Sequence, residues 1–333
     1  MRRPSLLLLG LVLALAACSG PSPAARVDGI TITDEELAHV TDLFRFAAAV
    51  TQQPCGQLDP ASGEPAEAAC TRYALGNLIE FAVVRDWAAE HGVAVADPDV
   101  DDVVQGLEDR LGAQALDRQL AAHELTRADV RELARDLLLV RAVALAVAED
   151  ELGEKGIRDR YEDRIADHTI VRVDHILVRT RSEARDVYEK VTAPGATRAT
   201  FLALARSVSI DPTAAENSGS LGSTVASTYV PAFAEAALDL EPGEISPPVR
   251  TEFGWHVIRL EAKQVQPLAR VRESILQQAA QEVFPAWLRD RLAEGLEVNP
   301  RYGRFDLEAL TVVRISSTDP SATATPSGAI ASP

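Results

Sequence analysis

The sequence contains little cysteine, few aromatic residues and a shortage of basic residues. Among its 333 residues are 3 cysteines, aromatic residues make up 5%, and 33 Lys and Arg stand against 50 Asp and Glu, which gives a formal net charge of −17. A surface of this sign repels phosphate backbones and anionic lipid headgroups. We therefore expect no nucleic-acid partner and no membrane association through surface charge.

Long apolar runs are also scarce, and the one present lies at the start of the chain. It extends from Leu6 to Ala17, follows two arginines and ends directly before Cys18. The run is too short to span a bilayer, and its flanks are typical of a secretory signal peptide with a lipoprotein cleavage site. We expect residues 1–17 to be removed, Cys18 to carry a lipid such as palmitate, and the mature protein to lie outside the cytoplasm, held by that lipid alone. The anchor would lie in the cell membrane, or in an outer membrane where the cell has one.

Two cysteines remain after that processing, Cys55 and Cys70. Outside the cytoplasm an isolated pair most simply forms a disulfide. Two free thiols or half of a metal site are the alternatives, and residues 56–69 contain no histidine that would support a metal. Four further histidines lack metal-ligand spacing, so we expect no metal and no other cofactor; they are His39, His91, His123 and His168.

Two segments in the second half of the chain alternate between apolar and polar residues, and each has a histidine on its apolar side. In residues 170–178 this is His175, and in residues 254–260 it is His256. The period of two predicts strands, and the helical stretches between them predict an α+β domain around a small antiparallel sheet. A histidine on an apolar strand face is most often a structural residue that a hydrogen bond satisfies. These segments alone therefore assign no chemistry to either ring.

Four ordered motifs contain these strands and the segments between them: VDHILV at 173–178, and longer motifs at 201–222, 229–249 and 251–261. Together they resemble the parvulin-type (PpiC, or rotamase) peptidyl-prolyl isomerases, and several motifs in one order are far more specific than any single motif. The helical flanks and the lipoprotein signal resemble the extracytoplasmic foldases of the PrsA and SurA kind, and so does the segment 298–305.

The resemblance implies which side chains form a site. The positions that match the family's polar catalytic groups are His175, Asp211, Thr251 and His256. The positions that match its proline-binding residues are Leu221, Tyr229 and Phe233. The family most often has methionine where Tyr229 stands. Rotation about an X-Pro bond breaks no covalent bond. We therefore interpret the polar groups as a hydrogen-bonded layer beneath the substrate that fixes the histidine tautomers and the local electric field.

One loop departs from the family pattern, which usually runs Gly-Gly-Asp/Glu-Leu-Gly and then an aromatic residue. Here Ser218, Ser220 and Ser223 occupy the first glycine, the acidic and the aromatic positions. A residue other than glycine at positive φ costs about 1 kcal/mol or more, so we expect a reshaped loop and reduced activity. Arg179 and Arg181 follow the first strand without a dense basic cluster, which argues against specificity for phosphorylated substrates.

The resemblance and the helical patterns together divide the chain. We expect a linker at 18–26, a helical chaperone-like region at 27–166, the isomerase domain at 167–264, a C-terminal helix at 265–305 that packs on the helical region, and a disordered tail at 306–333. The expected fold class is α+β, with a parvulin domain inserted between the N- and C-terminal parts of an all-α module.

The implied function is cis/trans isomerisation of X-Pro bonds, and the implied partners are unfolded or nascent secreted proteins that contain such bonds. One alternative is a client-binding chaperone whose isomerase domain has lost most of its activity, and a weaker one is an envelope scaffold for a dedicated partner. The altered loop at 218–223 favours the chaperone, whereas the retained polar and aromatic positions favour the enzyme.

Overall fold

The computed structural model describes residues 23–56 and 64–315. The predicted signal peptide, the predicted lipidation at Cys18 and the part of the predicted tail from residue 316 onwards lie outside these ranges. The described residues form ten α-helices: α1 Asp34–Thr51, α2 Ala66–His91, α3 Asp97–Leu111, α4 Ala113–Ala122, α5 Arg127–Asp163, α6 Arg181–Val191, α7 Arg198–Val208, α8 Ala214–Asn217, α9 Pro231–Asp239 and α10 Leu268–Leu292. They also form nine strands: β1 Ala25–Val27, β2 Ile30–Ile32, β3 Thr169–Val178, β4 Ser220–Val225, β5 Val249–Thr251, β6 Gly254–Val265, β7 Leu296–Val298, β8 Arg304–Asp306 and β9 Thr311–Val313.

The chain divides into two compact units, and one of them is built from both ends of the described chain. This helical unit contains the described residues up to Ala144 and those from Phe284 onwards, and the sheet unit contains Leu145–Val283. The boundaries fall inside α5 and α10, so each of these helices contributes to both units. The mixed α+β class with helical flanks is confirmed.

The helical unit joins its two parts through a small sheet of order β2-β1-β7. Ala25 in β1 pairs with Val298 in β7, and the Asn299 N–H donates to the Ala24 carbonyl at 2.9 Å. The predicted linker at 18–26 therefore ends earlier than expected, because Ala24 and Ala25 are buried and their backbone is paired. The core of the unit contains Leu43, Phe46, Val104, Leu116, Leu120, Leu125 and Val130.

The C-terminal part of the helical unit also differs from the prediction. Helix α10 ends at Leu292 and so fills only the first part of the segment 265–305 that was expected to contain it, and β7 follows. Residues 306–313 were expected in a disordered tail, but β8 and β9 form an antiparallel hairpin there. The hairpin packs on α2 at Gly76: the Cβ position of Gly76 lies 3.6 Å from the Val312 backbone nitrogen, which is an ordinary van der Waals contact. Cys55 and Cys70 form a disulfide at the start of α2.

The sheet unit is organised around a four-stranded antiparallel sheet of order β4-β3-β6-β5. Because side chains alternate along a strand, the sheet has two separate apolar faces. One face packs against α9 and contains Val171, Val173, Ala226, Phe233, Ala237, Leu240, Ile258 and Leu260. The other packs against α6 and α7 and contains Ile176, Val178, Ala184, Val187, Val191, Phe201, Ala205 and Val257.

None of the helices within 23–56 and 64–315 combines the length and the apolar character needed to cross a bilayer.

Candidate active site

The two strand histidines lie side by side on the face of the sheet that packs against α9. His175 on β3 is paired with Ile258, and His256 on β6 is paired with Leu177, so the two rings are diagonal neighbours across the central strand pair. Their Nδ1 atoms are 3.2 Å apart, and each residue is only 4% exposed. The apolar alternation of the strands therefore carries both imidazoles into a buried position.

Two polar side chains bind the outer nitrogens of this pair. Asp211 Oδ2 lies 2.7 Å from His175 Nε2, and Thr251 Oγ1 lies 2.8 Å from His256 Nε2. Asp211 reaches the sheet from the loop after α7, where the Ile210 N–H donates to the Leu177 carbonyl at 2.8 Å. The result is a continuous polar row: Asp211, His175, His256 and Thr251.

The protonation state of Asp211 determines which atoms of the polar row donate hydrogen bonds and which accept them. Burial is the largest influence on the pKa of Asp211 and would raise it, but hydrogen bonds from Thr213 and His175 outweigh burial, so the pKa lies below its usual value. The Thr213 N–H and hydroxyl both donate to Asp211 Oδ1 at 2.8 Å. Asp211 is therefore a carboxylate, and His175 must donate to it from Nε2.

The positions of the other hydrogens in the polar row follow from this donor at His175 Nε2. With its proton on Nε2, a neutral His175 accepts at Nδ1, so His256 donates from its own Nδ1 and accepts at Nε2 from the Thr251 hydroxyl. The Thr251 oxygen in turn accepts from the Phe253 N–H at 3.2 Å. Every group in the row is satisfied in a single arrangement in which both rings are neutral.

Burial also keeps the rings neutral. Burial and, to a smaller extent, the neighbouring His175 lower the pKa of His256 to about 4, although Asp211 opposes the change. Burial likewise lowers the pKa of His175, although Asp211 opposes the change. A pair of neutral imidazoles tied to a carboxylate provides fixed dipoles in a dry setting, where they act more strongly than in water.

An aromatic wall stands against the polar row. The ring of Phe233 meets both imidazoles edge-on, with centroid distances of 5.9 Å to His175 and 5.2 Å to His256. The Tyr229 ring lies 4.7 Å from the Phe233 ring, and Leu221 packs against the same cluster. The Tyr229 hydroxyl oxygen is buried and has no hydrogen-bond partner among the described residues, and burial raises its pKa. Tyr229 therefore contributes its ring to this wall.

The loop that departs from the family pattern keeps the geometry the site needs. Ser218 adopts the left-handed conformation with φ of 60°, and its hydroxyl accepts from Arg206 Nε at 2.6 Å. The next residue, Gly219, has φ of 79°, and its carbonyl accepts the His175 N–H at 2.7 Å. A Cβ on Gly219 would lie 2.3 Å from the His175 carbonyl oxygen. The serine is tolerated at the first position, whereas the glycine at the second is needed; reduced activity stays a prediction.

Several supporting residues were not identified from the sequence. Ser209 Oγ accepts from the Leu177 N–H at 3.1 Å and so ties the Asp211 loop to β3. On the reverse side of β3, the fully buried Asp174 carboxylate receives two hydrogen bonds from Arg198, at 2.9 and 3.2 Å. The signal for Asp174 was present, because an acidic residue inside an apolar strand needs a cationic partner.

Of the two arginines after the first strand, Arg181 lies beside Trp255 and not at the polar row. The guanidinium groups of Arg181 and Arg250 each lie 5.6 Å from the centroid of the Trp255 ring, which packs against the α6 and α7 face of the sheet. In the part of the chain that the structure describes, no three His, Cys, Asp or Glu side chains are grouped so as to hold a metal ion.

The lowered histidine pKa values predict a pH-dependent stability of the sheet unit. In the unfolded chain both rings titrate near 6.5, so the unfolded state binds protons at a higher pH than the folded state. The contribution of the two neutral histidines to stability is therefore complete above the pKa of the unfolded chain and is lost as the pH falls. For His256 the interval of 2.5 units, from 6.5 to about 4, corresponds to roughly 3 kcal/mol. Asp211 adds a further loss below its ordinary value of 3.8, since its pKa is lowered.

Urea unfolding followed by hydrogen exchange in β3 and β6 measures this dependence. A His256→Gln variant has no titrating ring at this position. Its free energy of unfolding is therefore expected to depend less on pH between 6.5 and about 4. A variant with the same slope as the unmodified protein would show that His256 is not held neutral.

Comparison with known proteins gives the family of the sheet unit. Residues 168–262 match the rotamase family, described as the PPIC-type PPIASE domain. A foldase protein PrsA of Caldanaerobacter subterraneus is 32% identical over 152 residues, which are 46% of this chain and 47% of that protein. A chaperone SurA of Aromatoleum aromaticum is 29% identical over 294 residues, which are 84% of this chain and 61% of that protein.

The chain thus spans about half the length of the PrsA relatives that it matches. The crystal structure of a peptidylprolyl isomerase, PrsA of Bacillus cereus, is 22% identical, covers 80% of this chain and 89% of its own, and superposes with a TM-score of 0.40. The match to the rotamase family and the similarity to PrsA and SurA confirm the resemblance drawn from the motifs. Residues 168–262 are therefore a parvulin-type, PPIC-type peptidyl-prolyl isomerase domain, carried by a chain that is similar to the PrsA foldases and the SurA chaperones.

Proposed function

We propose that the protein catalyses the cis/trans isomerisation of X-Pro peptide bonds in unfolded proteins. The observation that supports this best is the pairing of a neutral, fully hydrogen-bonded polar row with the aromatic wall formed by Phe233 and Tyr229. An apolar wall suits a pyrrolidine ring, and an ordered row of dipoles suits the amide beside it.

The reaction breaks no covalent bond, but the barrier to rotation about the peptide bond is high. Rotation about a peptide bond costs about 18–20 kcal/mol because amide resonance is lost, and an uncatalysed X-Pro bond isomerises in tens to hundreds of seconds. A site that binds the twisted amide more tightly than the planar one accelerates this rotation. Each ~1.4 kcal/mol of that preference gives about a tenfold gain in rate.

The side chains divide this task. Phe233, Tyr229 and Leu221 hold the proline ring, so that the rest of the substrate rotates against a fixed group. His175 and His256 set the field under the reacting amide, and Asp211 and Thr251 fix their tautomers. Asp211 is a carboxylate whose two oxygens already accept hydrogen bonds from His175 and Thr213, so it is engaged as an anchor and is not free to act as a general base.

The proposed setting is extracytoplasmic. The apolar run before Cys18 supports a lipid-anchored lipoprotein, and the similarity to PrsA and SurA supports clients that are unfolded or nascent secreted proteins. The membrane contact would be made through the lipid alone.

A refolding assay tests this function. The client is a protein whose slow refolding phase is limited by an X-Pro bond, and the whole chain is compared with an Asp211→Ala/His256→Ala double variant. The unmodified protein is expected to accelerate the slow phase, and the variant is expected to lose that acceleration. Suppression of client aggregation without any acceleration by the unmodified protein would contradict the enzyme and favour the client-binding chaperone.

A further inference from the structure

The helical unit contains a cavity of about 1120 Å³ between α1, α2 and the β8–β9 hairpin. The facing turns of the two helices present small residues there, Ala47 and Ala48 on α1 and Ala69 and Gly76 on α2. Small residues at helical spacing leave a groove that larger side chains would fill. The volume slightly exceeds the range of about 300–1,000 Å³ that is typical of small-molecule sites, so a long side chain fits in the cavity.

The walls of this cavity combine aromatic rings with a neutralised ion pair. Phe44 and Tyr73 form an edge-on pair with centroids 5.0 Å apart, and Tyr73 is 41% exposed. Arg72 and Glu64 face each other in a two-pronged ion pair, and both side chains are largely buried. Arg314 also lines the cavity, and its charge acts on Glu64, so both cationic groups of the wall are associated with Glu64.

One acidic group in the wall stays uncompensated. Glu80 lines the cavity one turn beyond Gly76, and no hydrogen bond or ion pair joins its carboxyl to another described residue. Burial raises the pKa of Glu80. A partly buried carboxylate without a partner is unfavourable, and a cation that entered the cavity would remove that penalty.

We infer that this cavity binds a lysine or arginine side chain of an unfolded polypeptide, with the cationic head at Glu80 and the aliphatic stem on the aromatic pair. Long cationic side chains combine an apolar stem with a charged end, and an exposed tyrosine ring also attracts a cation. The excess of 50 acidic over 33 basic residues in the chain favours basic segments over acidic ones on approach. The inference goes beyond the isomerase, because this site belongs to the helical unit and requires no proline.

Fluorescence anisotropy with proline-free peptides tests the inference on the whole chain. One peptide carries a lysine in an apolar context, and a matched peptide has norleucine in its place. The lysine peptide is expected to bind about tenfold more tightly. A Glu80→Gln variant is expected to lose that preference, and a Glu90→Gln variant, which changes an exposed residue on the same helix, is expected to keep it.

The outcomes are distinguishable from those of the isomerase. Equal binding of the two peptides by the unmodified protein would overturn the inference, and so would a lysine preference that persists in Glu80→Gln or disappears equally in Glu90→Gln. Isomerisation of X-Pro peptides is expected to be unchanged in Glu80→Gln, so loss of the lysine preference alone would identify the cavity as a separate site.

Discussion

Replacing Phe233 with alanine is expected to lower kcat/KM for X-Pro peptides by about 100-fold. Phe233 is 3% exposed and meets both imidazoles edge-on, so its removal takes away the proposed proline-binding wall and opens the polar row to water. Water at the row raises the local dielectric and weakens the fixed dipoles. Proton NMR exchange measurements on an Ala-Pro peptide provide the rate.

Two further variants separate this effect from general damage. Truncating a buried phenylalanine also destabilises a domain by about 3–5 kcal/mol, so a Phe233→Leu variant, which keeps most of the apolar volume, should retain the fold and an intermediate rate. A Phe253→Ala variant removes a ring that is 61% exposed and leaves the N–H that donates to Thr251. Its rate should stay close to that of the unmodified protein. An unchanged rate in folded Phe233→Ala would contradict the role of the wall.

A Gly219→Ala substitution is expected to lower the free energy of unfolding of the sheet unit by about 4 kcal/mol or more. The new Cβ would lie 2.3 Å from the His175 carbonyl oxygen and 2.9 Å from Ala205 Cβ. Strand β4 would have to move away from β3, which breaks the hydrogen bond from the His175 N–H to the Gly219 carbonyl. Urea unfolding gives the change in stability.

Gly222 provides the matched control for that substitution. Its φ of 73° is nearly the same as that of Gly219, but nothing lies within 4 Å of its Cβ position. Gly222→Ala therefore carries only the backbone strain, about 1 kcal/mol. Equal losses in the two variants would mean that the close approach of β4 to His175 has no energetic consequence.

The sequence was sufficient to predict the strands and the pair of histidines. Alternation over residues 170–178 and 254–260 fixes which side chains share a face, and that phase brings His175 and His256 onto the surface that packs against α9. The motifs then selected Asp211 and Thr251 from many acidic and hydroxyl residues. No local pattern distinguishes them, because both reach the row from loops and short strands.

Other features depended on contacts that no sequence period encodes. The pairing of β1 with β7 joins residues at opposite ends of the chain, and the β8–β9 hairpin is stabilised by packing on Gly76, so composition alone suggested a linker and a tail. The donors and acceptors of the polar row depend on Thr213, whose N–H and hydroxyl both donate to Asp211 Oδ1 and so favour the carboxylate. Serine at position 218 was expected to reshape its loop, but the hydrogen bond from Arg206 stabilises the left-handed conformation.

Exchange spectroscopy on a panel of Xaa-Pro peptides measures whether the neutral polar row under its aromatic wall accelerates rotation about X-Pro bonds. The folded, unmodified protein is expected to raise the cis/trans exchange rate far above the uncatalysed one, which has a time constant of tens to hundreds of seconds. The Phe233→Ala protein is expected to lose nearly all of that increase. No acceleration by the folded, unmodified protein on any peptide of the panel would contradict the account.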